Sequence, residues 1–237
     1  NYTIFSLWDT YRALHPLFNI TQPDRNNDMI KSMLAHHDES VHNMLPIWSH
    51  YANENWCMIG YHATSVIADA MAKNIGDFDH KRALQASLNT ANVRYFDGLG
   101  DYIDYKYVPD DKSHSSVSKT LEYAYNDWCI AQMAKQVNDI SVEDEFIKRS
   151  KYYNNVYDPS IGFMRPKLAD GTFRKNFDPM DTHGQGFIEG NAWNYGLYVP
   201  QNIDKMVDMM GGKERFTQQL DSLFTMEIDD KYIENHE

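Results

Sequence analysis

The 237 residues carry 22 Lys and Arg against 34 Asp and Glu, a net charge of −12. That balance, with no Lys/Arg cluster, excludes nucleic acid and other phosphate-rich partners. Hydrophobic residues make up 42% of the chain, enough for a sizeable core in one large domain or two small ones, and no apolar run approaches the ~20 residues of a membrane span. Aromatic residues are the outlier, with 16 Tyr, 11 Phe and 5 Trp; rings fill cores, but exposed ones also stack on the apolar faces of sugars. The opening residues do not read as a signal peptide. No Met opens the chain, so processing or trimming is expected. Cys57 and Cys129 lie in apolar, helix-like patterns without metal or redox spacing, and buried free thiols are expected.

Helical signals dominate from the start. Residues 7–20 place Leu7, Tyr11, Leu14, Leu17 and Phe18 at helical spacing, with Pro16 expected to bend or shorten the helix. Pro23 suits a first helical turn, and the pattern then runs to about His42. Residues 61–75 read as a buried helix with small residues for close packing, stopped by Gly76. A more polar helix over 79–96, a long apolar one over 116–137 and a charged one over 141–157 follow. This alternation of apolar with amphipathic helices predicts an all-α fold of paired inner and outer helices, as in α/α toroids or solenoids. No fixed-period repeat supports a plain solenoid. Residues 161–177 break the pattern, and the Asp170-Gly171 pair predicts a small β-hairpin. Helices near 202–210 and 213–226 precede an acidic tail over 227–237.

The densest chemistry lies in F-I-E-G-N-A-W-N-Y, residues 187–195. A helix starting near Gly190 would put Glu189 at its mouth, where free N–H groups favour the anion. Phe187 and Ile188 act the other way, because desolvation raises a carboxyl pKa. An acid catalyst for a sugar leaving group needs such a carboxyl, with aromatic and amide groups to hold the ring. On local pattern alone, Glu189 as a helix cap and Trp193 as core explain the same residues. Trp8 and Asp9 likewise read either as a staple and cap or as a stacking ring beside a hydroxyl acceptor. Asp69, Glu122 and Asp127 sit in apolar helices and are expected to be internally hydrogen-bonded. His36, His37 and His42 invite a metal, but no recognised ligand set completes them, so no metal ligands are assigned. No G-x-S-x-G, P-loop or G-x-G-x-x-G motif is present.

Four motifs in one order carry a resemblance: S-L-W-D-T-Y-R (6–12), G-Y-H-A with V-I-A-D-A (60–70), S-V-S-K-T-L-E-Y-A-Y-N-D-W (116–128) and F-I-E-G-N-A-W-N-Y (187–195). Together they resemble the catalytic domain of family 92 glycoside hydrolases, the calcium-dependent exo-α-mannosidases of gut Bacteroidetes. The resemblance implies an N-terminal β-sandwich followed by an (α/α)6 toroid, and hydrolysis of terminal α-mannosides in glycans, α-1,2 foremost, with inversion. By motif, Glu189 matches the general acid. Trp8 and Asp9 match the part of the pocket that holds the terminal mannose, and Asn191 and Trp193 join them by closeness to Glu189. The implied cofactor is Ca2+, and the implied location periplasmic, cell-surface or secreted. The family's G-N-D-D-like base segment and N-E-P calcium segment are not found in residues 1–237. The chain is therefore expected to be the N-terminal portion of a toroid catalytic domain, its β-sandwich and the C-terminal part of the toroid absent, with the missing part or a second copy as partner. Ser113-His114-Ser115 stands where the family pattern suggests glycine. Two other readings stay open: a different toroidal glycosidase with Asp178 or Asp181 as base, and a non-catalytic helical carbohydrate-binding module.

Overall fold

The computed structural model describes residues 2–51 and 53–232. Helices α1 (Leu7–Thr10), α2 (Leu14–Thr21) and α3 (Pro23–Glu39) come first. A two-stranded hairpin, β1 (Ser49–His50) with β2 (Asn53–Glu54), follows them. Then come α4 (Ala63–Ala72), α5 (His80–Thr90), α6 (Leu99–Tyr105), α7 (Ser116–Gln136) and α8 (Ile140–Arg149). A second hairpin pairs β3 (Tyr157–Asp158) with β4 (Phe163–Met164), and α9 (Ile203–Met209), α10 (Lys213–Thr225) and a 3-10 turn over Asp230–Tyr232 follow. Among the described residues no helix is long and apolar enough to cross a membrane.

The chain divides into two compact units, one running to Gly100 together with Glu122–Lys151, the other made of Asp101–Leu121 and the residues from Tyr152 onward. The core of the first unit gathers Leu7, Ile30, Met33, Tyr61, Ile67, Met71 and Ala131, all fully buried. In α3 the buried positions Asn26, Ile30, Met33, Leu34 and His37 follow the helical period, so one stripe faces inward. The second unit has its own smaller core, with Tyr102, Val108, Val117, Tyr153 and Val199 buried. Helix α7 contributes to both units.

Several helix ends differ from the sequence expectation, each for a local reason. The 7–20 helix is two helices; Pro16 sits in the first turn of α2, where no N–H is needed. α4 ends before Gly76: Asn74 takes the left-handed conformation (φ +54°), and Asn74 N and Ile75 N donate to Met71 O and Ala70 O, closing a Schellman turn. α5 starts where Asp79 accepts from the N–H groups of Lys81 and Arg82 at 2.9 and 3.1 Å. It stops near Thr90 rather than 96, and the Ala91 carbonyl is taken by Arg149 Nη2 at 3.1 Å. α8 ends at Arg149, with a 3-10 turn over Tyr152–Val156 replacing its expected continuation. The hairpin expected over 161–177 is split: β3 and β4 form its ladder upstream, and around Asp170-Gly171 only the Lys167–Phe173 bridge forms. Asp170 Oδ1 shapes that turn by accepting from the Thr172 N–H and hydroxyl. Cys129 is buried, and burial pushes its thiol up to about 12. Cys57 is exposed, in the loop after β2 rather than in a helix. Residues 233–237 of the expected acidic tail lie outside the described residues.

Candidate active site

In the second unit, the 187–195 segment is not a helix start. Its side chains compete with the backbone for hydrogen bonds and win. Asn191 Oδ1 accepts from the N–H groups of Trp193 and Asn194 at 3.0 and 3.3 Å. Asn194 Oδ1 accepts in turn from those of Asn191 and Tyr195 at 2.9 and 2.6 Å. A Cβ on Gly190 would lie 2.8 Å from Asn194 Oδ1, so the reciprocal turn closes only over glycine. A 3-10 turn, Tyr195–Leu197, follows where the α-helix was expected.

Glu189 stands at the head of this turn with φ +47°, exposed, and makes no hydrogen bond or ion pair among the described residues. A non-glycine residue in that region is strained, and strain of this kind gathers where function needs a side chain aimed outward. The segment before it is pinned to the start of α7. The Gly186 carbonyl accepts from the N–H groups of Val117 and Ser118, and Ile188 N donates to Ser118 Oγ at 3.2 Å. Asn191 Nδ2 donates to Met180 O at 2.9 Å, so both ends of that amide serve the loop and one N–H remains for a ligand. Trp193 is half-buried and meets Phe163 of β4 edge to face, 4.9 Å between centroids.

Beside this loop lies a cavity of about 570 Å³ lined by Asp110–Ser115, Arg174, Gly184, Gly186 and Phe187. Its polar wall is internally matched. Asp110 accepts from Ser116 Oγ at 2.8 Å and pairs with Arg174, while buried Lys119 donates to Ser113 Oγ at 2.9 Å. Ser115, where the family pattern suggests glycine, has φ +53°, the left-handed conformation that glycine adopts most cheaply. Asp178 accepts from Tyr232 Oη at 2.6 Å and Met180 N at 3.0 Å. Asp181 is partly buried, which raises its carboxyl, but hydrogen bonds from His183 and Gln185 outweigh that and hold it below the ordinary aspartate range.

In the first unit, Trp8 and Asp9 occupy the single turn of α1. Asp9 is exposed and accepts from Ser6 Oγ, so it does not cap the helix. Half-buried Trp8 donates Nε1–H to Glu122 Oε1 at 3.0 Å. Glu122 is fully buried and also receives His62 Nε2 at 2.7 Å and Arg12 Nη2 at 3.4 Å. Asp127, equally buried, accepts from Tyr61 Oη at 2.7 Å and Arg149 Nε at 3.1 Å. Burial, reinforced by that carboxylate, pushes the Tyr61 phenol well above its ordinary value. Both acids are internally bonded as the sequence led us to expect. Asp69 is less buried than its helix suggested; it binds Asn19 and Lys73, at 2.8 and 2.7 Å. Sequence reasoning missed Asn126 and Gly60, which complete the Glu122 network. A Cβ at Gly60 (φ +81°) would sit 2.2 Å from His62 Nε2.

Among the described residues no group of three or more His, Cys, Asp or Glu side chains could hold a metal ion. His37 is spent on Asp38 and Asn89, and His42 on Tyr95. Asp110, Asp178 and Asp181 are already matched to donors. These residues therefore do not by themselves build a calcium site.

Residues 1–237 match the glycosyl hydrolase family 92 catalytic domain throughout. A family GH92 α-mannosidase from Bacteroides thetaiotaomicron is similar with a TM-score of 0.92 and 48% identity, over 96% of this chain and 30% of that one. Its complex with mannoimidazole gives 0.93 and 47%, over 97% and 31%. A family GH92 inverting mannosidase from Bacteroides thetaiotaomicron VPI-5482 gives 0.87 and 32%, over 98% and 32%. An uncharacterized secreted glycosidase from Arthroderma benhamiae is 26% identical over 207 residues, covering 71% of this chain and 27% of that protein. The chain thus spans about a third or less of the length of these relatives. The helix-dominated, α/α-toroid-type fold expected from the motifs is the fold of these enzymes. The chain belongs to glycoside hydrolase family 92.

Proposed function

We propose that this chain is the N-terminal part of the toroid catalytic domain of an exo-acting α-mannosidase, which removes terminal mannose from glycans with inversion. One observation carries the reading: 48% identity at a TM-score of 0.92, over 96% of the chain, to an α-mannosidase. Glu189 acts as general acid and protonates the leaving oxygen. Its exposure and its freedom from partners among the described residues support that role, since an acid already tied down by donors could not meet a substrate oxygen. Inversion needs a second carboxylate roughly 6.5–9.5 Å away to activate water. The occupied oxygens of Asp178 and Asp181 speak against either as that base, so it lies in the rest of the protein.

Trp8 supplies a ring face and Asp9 a hydroxyl acceptor for the terminal mannose, and Trp193 and the remaining Asn191 N–H lie in the loop that carries the acid. Ca2+ ligands are likewise supplied from beyond this chain; when bound, the ion would hold mannose hydroxyls through oxygen coordination. The missing part of the toroid, or a second copy, is the protein partner. The similarity to a secreted glycosidase supports an exported enzyme, secreted, periplasmic or at the cell surface. Mannose release from α-1,2-, α-1,3- and α-1,6-mannobiose, with and without EDTA, tests the reading on the full-length protein. The expected result is EDTA-sensitive release, fastest from the α-1,2 disaccharide; no release from any of the three overturns it.

A further inference from the structure

Trp8 and Arg12 emerge partly exposed from the first helical turn, and one fully buried carboxylate holds both from beneath. Trp8 Nε1 donates to Glu122 Oε1 at 3.0 Å, and Arg12 Nη2 reaches the same oxygen at 3.4 Å. The Arg12 guanidinium carbon lies 4.8 Å from the centre of the Trp8 ring, and its Nε donates to Trp8 O at 3.0 Å. The other Glu122 oxygen faces His62 Nε2 at 2.7 Å. That imidazole lies flat on Tyr11, 3.9 Å between centroids and 3° from parallel, so it cannot turn freely. Its Nδ1 faces Asn126 Nδ2 at 3.0 Å, and Asn126 Oδ1 faces the Tyr61 backbone nitrogen at 2.9 Å.

The main chain sets the direction of every bond in this series. A backbone N–H can only donate, so Asn126 turns its oxygen to Tyr61 and its NH2 to His62. His62 Nδ1 must then accept, which leaves the imidazole proton on Nε2, pointed at Glu122. Glu122 closes the series as an acceptor and turns its second oxygen to the indole. We infer that Glu122, oriented through His62 and Asn126, is a positioning residue that fixes the Trp8 ring and the Arg12 guanidinium for sugar binding. This rests on the reading of Trp8 as part of the mannose pocket. A ring held before the sugar arrives loses less freedom on binding, which strengthens recognition without touching the reacting bond.

The test uses the full-length protein. Glu122→Gln puts an NH2 against either the indole N–H or His62 Nε2–H, and His62 cannot move its proton to Nδ1 because Asn126 donates there. Adding Asn126→Asp reverses the series. The carboxylate introduced at position 126 would accept from Tyr61 N–H and from His62 Nδ1–H. His62 Nε2 would then accept from the amide introduced at position 122, whose oxygen would again accept from Trp8. We expect E122Q to raise KM for α-mannobiose about tenfold, ~1.4 kcal/mol, with kcat changed far less. The Trp8 indole N–H resonance of 15N-tryptophan protein, assigned with Trp8→Phe, should shift as well. The double variant should recover both readouts. An E122Q protein with unchanged KM and an unmoved indole resonance overturns the inference, as does a double variant that recovers neither. If E122Q does not fold, W8F decides: it keeps a ring but removes the N–H, and an unchanged KM overturns the inference. If the wild type cleaves no mannoside, the mannosidase reading fails by itself, and the indole resonance still decides the positioning.

Discussion

Replacing Arg149 by Met probes the buried ion pair that anchors the first unit. The Asp127 side chain is fully buried and that of Arg149 is 6% exposed, with Nε 3.1 Å from Oδ2. Arg149 also donates to Ala91 O and Asn92 Oδ1, and its guanidinium lies 4.5 Å from the Phe146 ring centre. Methionine keeps an apolar stem against Phe146 but leaves the Asp127 charge without its guanidinium. Breaking a buried pair from one side costs ~3–5 kcal/mol, far more than the pair contributes net. At ~2–4 °C per kcal/mol for a chain of 150–250 residues, the melting transition of the 237-residue chain should fall by roughly 6–20 °C. The control is D127N/R149M, in which the stranded charge is gone while the amide oxygen still accepts from Tyr61 Oη; most of the loss should return. Thermal unfolding of the wild type and the two variants followed by circular dichroism reads this directly. A loss under ~1 kcal/mol in R149M, or a double variant no better than the single, refutes the reasoning.

Three further outcomes follow from the geometry. Gly60→Ala, which places a Cβ against His62 Nε2 in a left-handed position, should cost roughly 2–4 kcal/mol and weaken sugar binding with it; denaturant titration checks the first and mannobiose titration the second. Ser115→Gly should stabilise by about 0.5–1 kcal/mol, because φ +53° suits glycine and the Lys119 N–H bond to the residue 115 carbonyl is kept. Burial pushes the Asp158 carboxyl up, but the Ser160 hydroxyl and N–H and the Arg165 guanidinium outweigh it and leave it below the ordinary aspartate value. Stability from that lowered value is therefore fully present above about pH 4 and is lost as pH falls through the folded value. Asp158→Asn should flatten this acid limb in pH-dependent unfolding.

The helices and their alternation were legible because burial follows the helical period: Met33 and Leu34 mark the inner face of α3 in sequence as in structure, while Ile30 and His37 join that face only in the structure. Family membership was legible because four motifs recur in order. Boundaries were not, where a distant side chain decides them. Arg149 takes the Ala91 carbonyl at the end of α5 across 58 positions of sequence, and no local pattern announces that. The 187–195 segment read as a helix start near Gly190, but Asn favours caps and turns alike; here Asn191 and Asn194 chose the turn. Glu122 was expected to be an internally bonded acid, but which groups it would hold depended on His62, 60 positions away at the start of α4, and on Asn126, one turn along α7. Cys57 was misplaced because its apolar neighbours Met58 and Ile59 belong to a loop, with Trp56 and Met58 at positive φ.

The role of Glu189 is tested most directly by Glu189→Gln in the full-length protein, assayed on two substrates side by side. α-Mannobiose carries a poor leaving group that needs a proton, whereas the leaving group of an activated aryl α-mannoside departs unaided. If Glu189 is the general acid, kcat on mannobiose should fall about 10²–10⁴-fold while turnover of the aryl mannoside is largely spared. Equal losses on both substrates, or no loss on mannobiose, would contradict it.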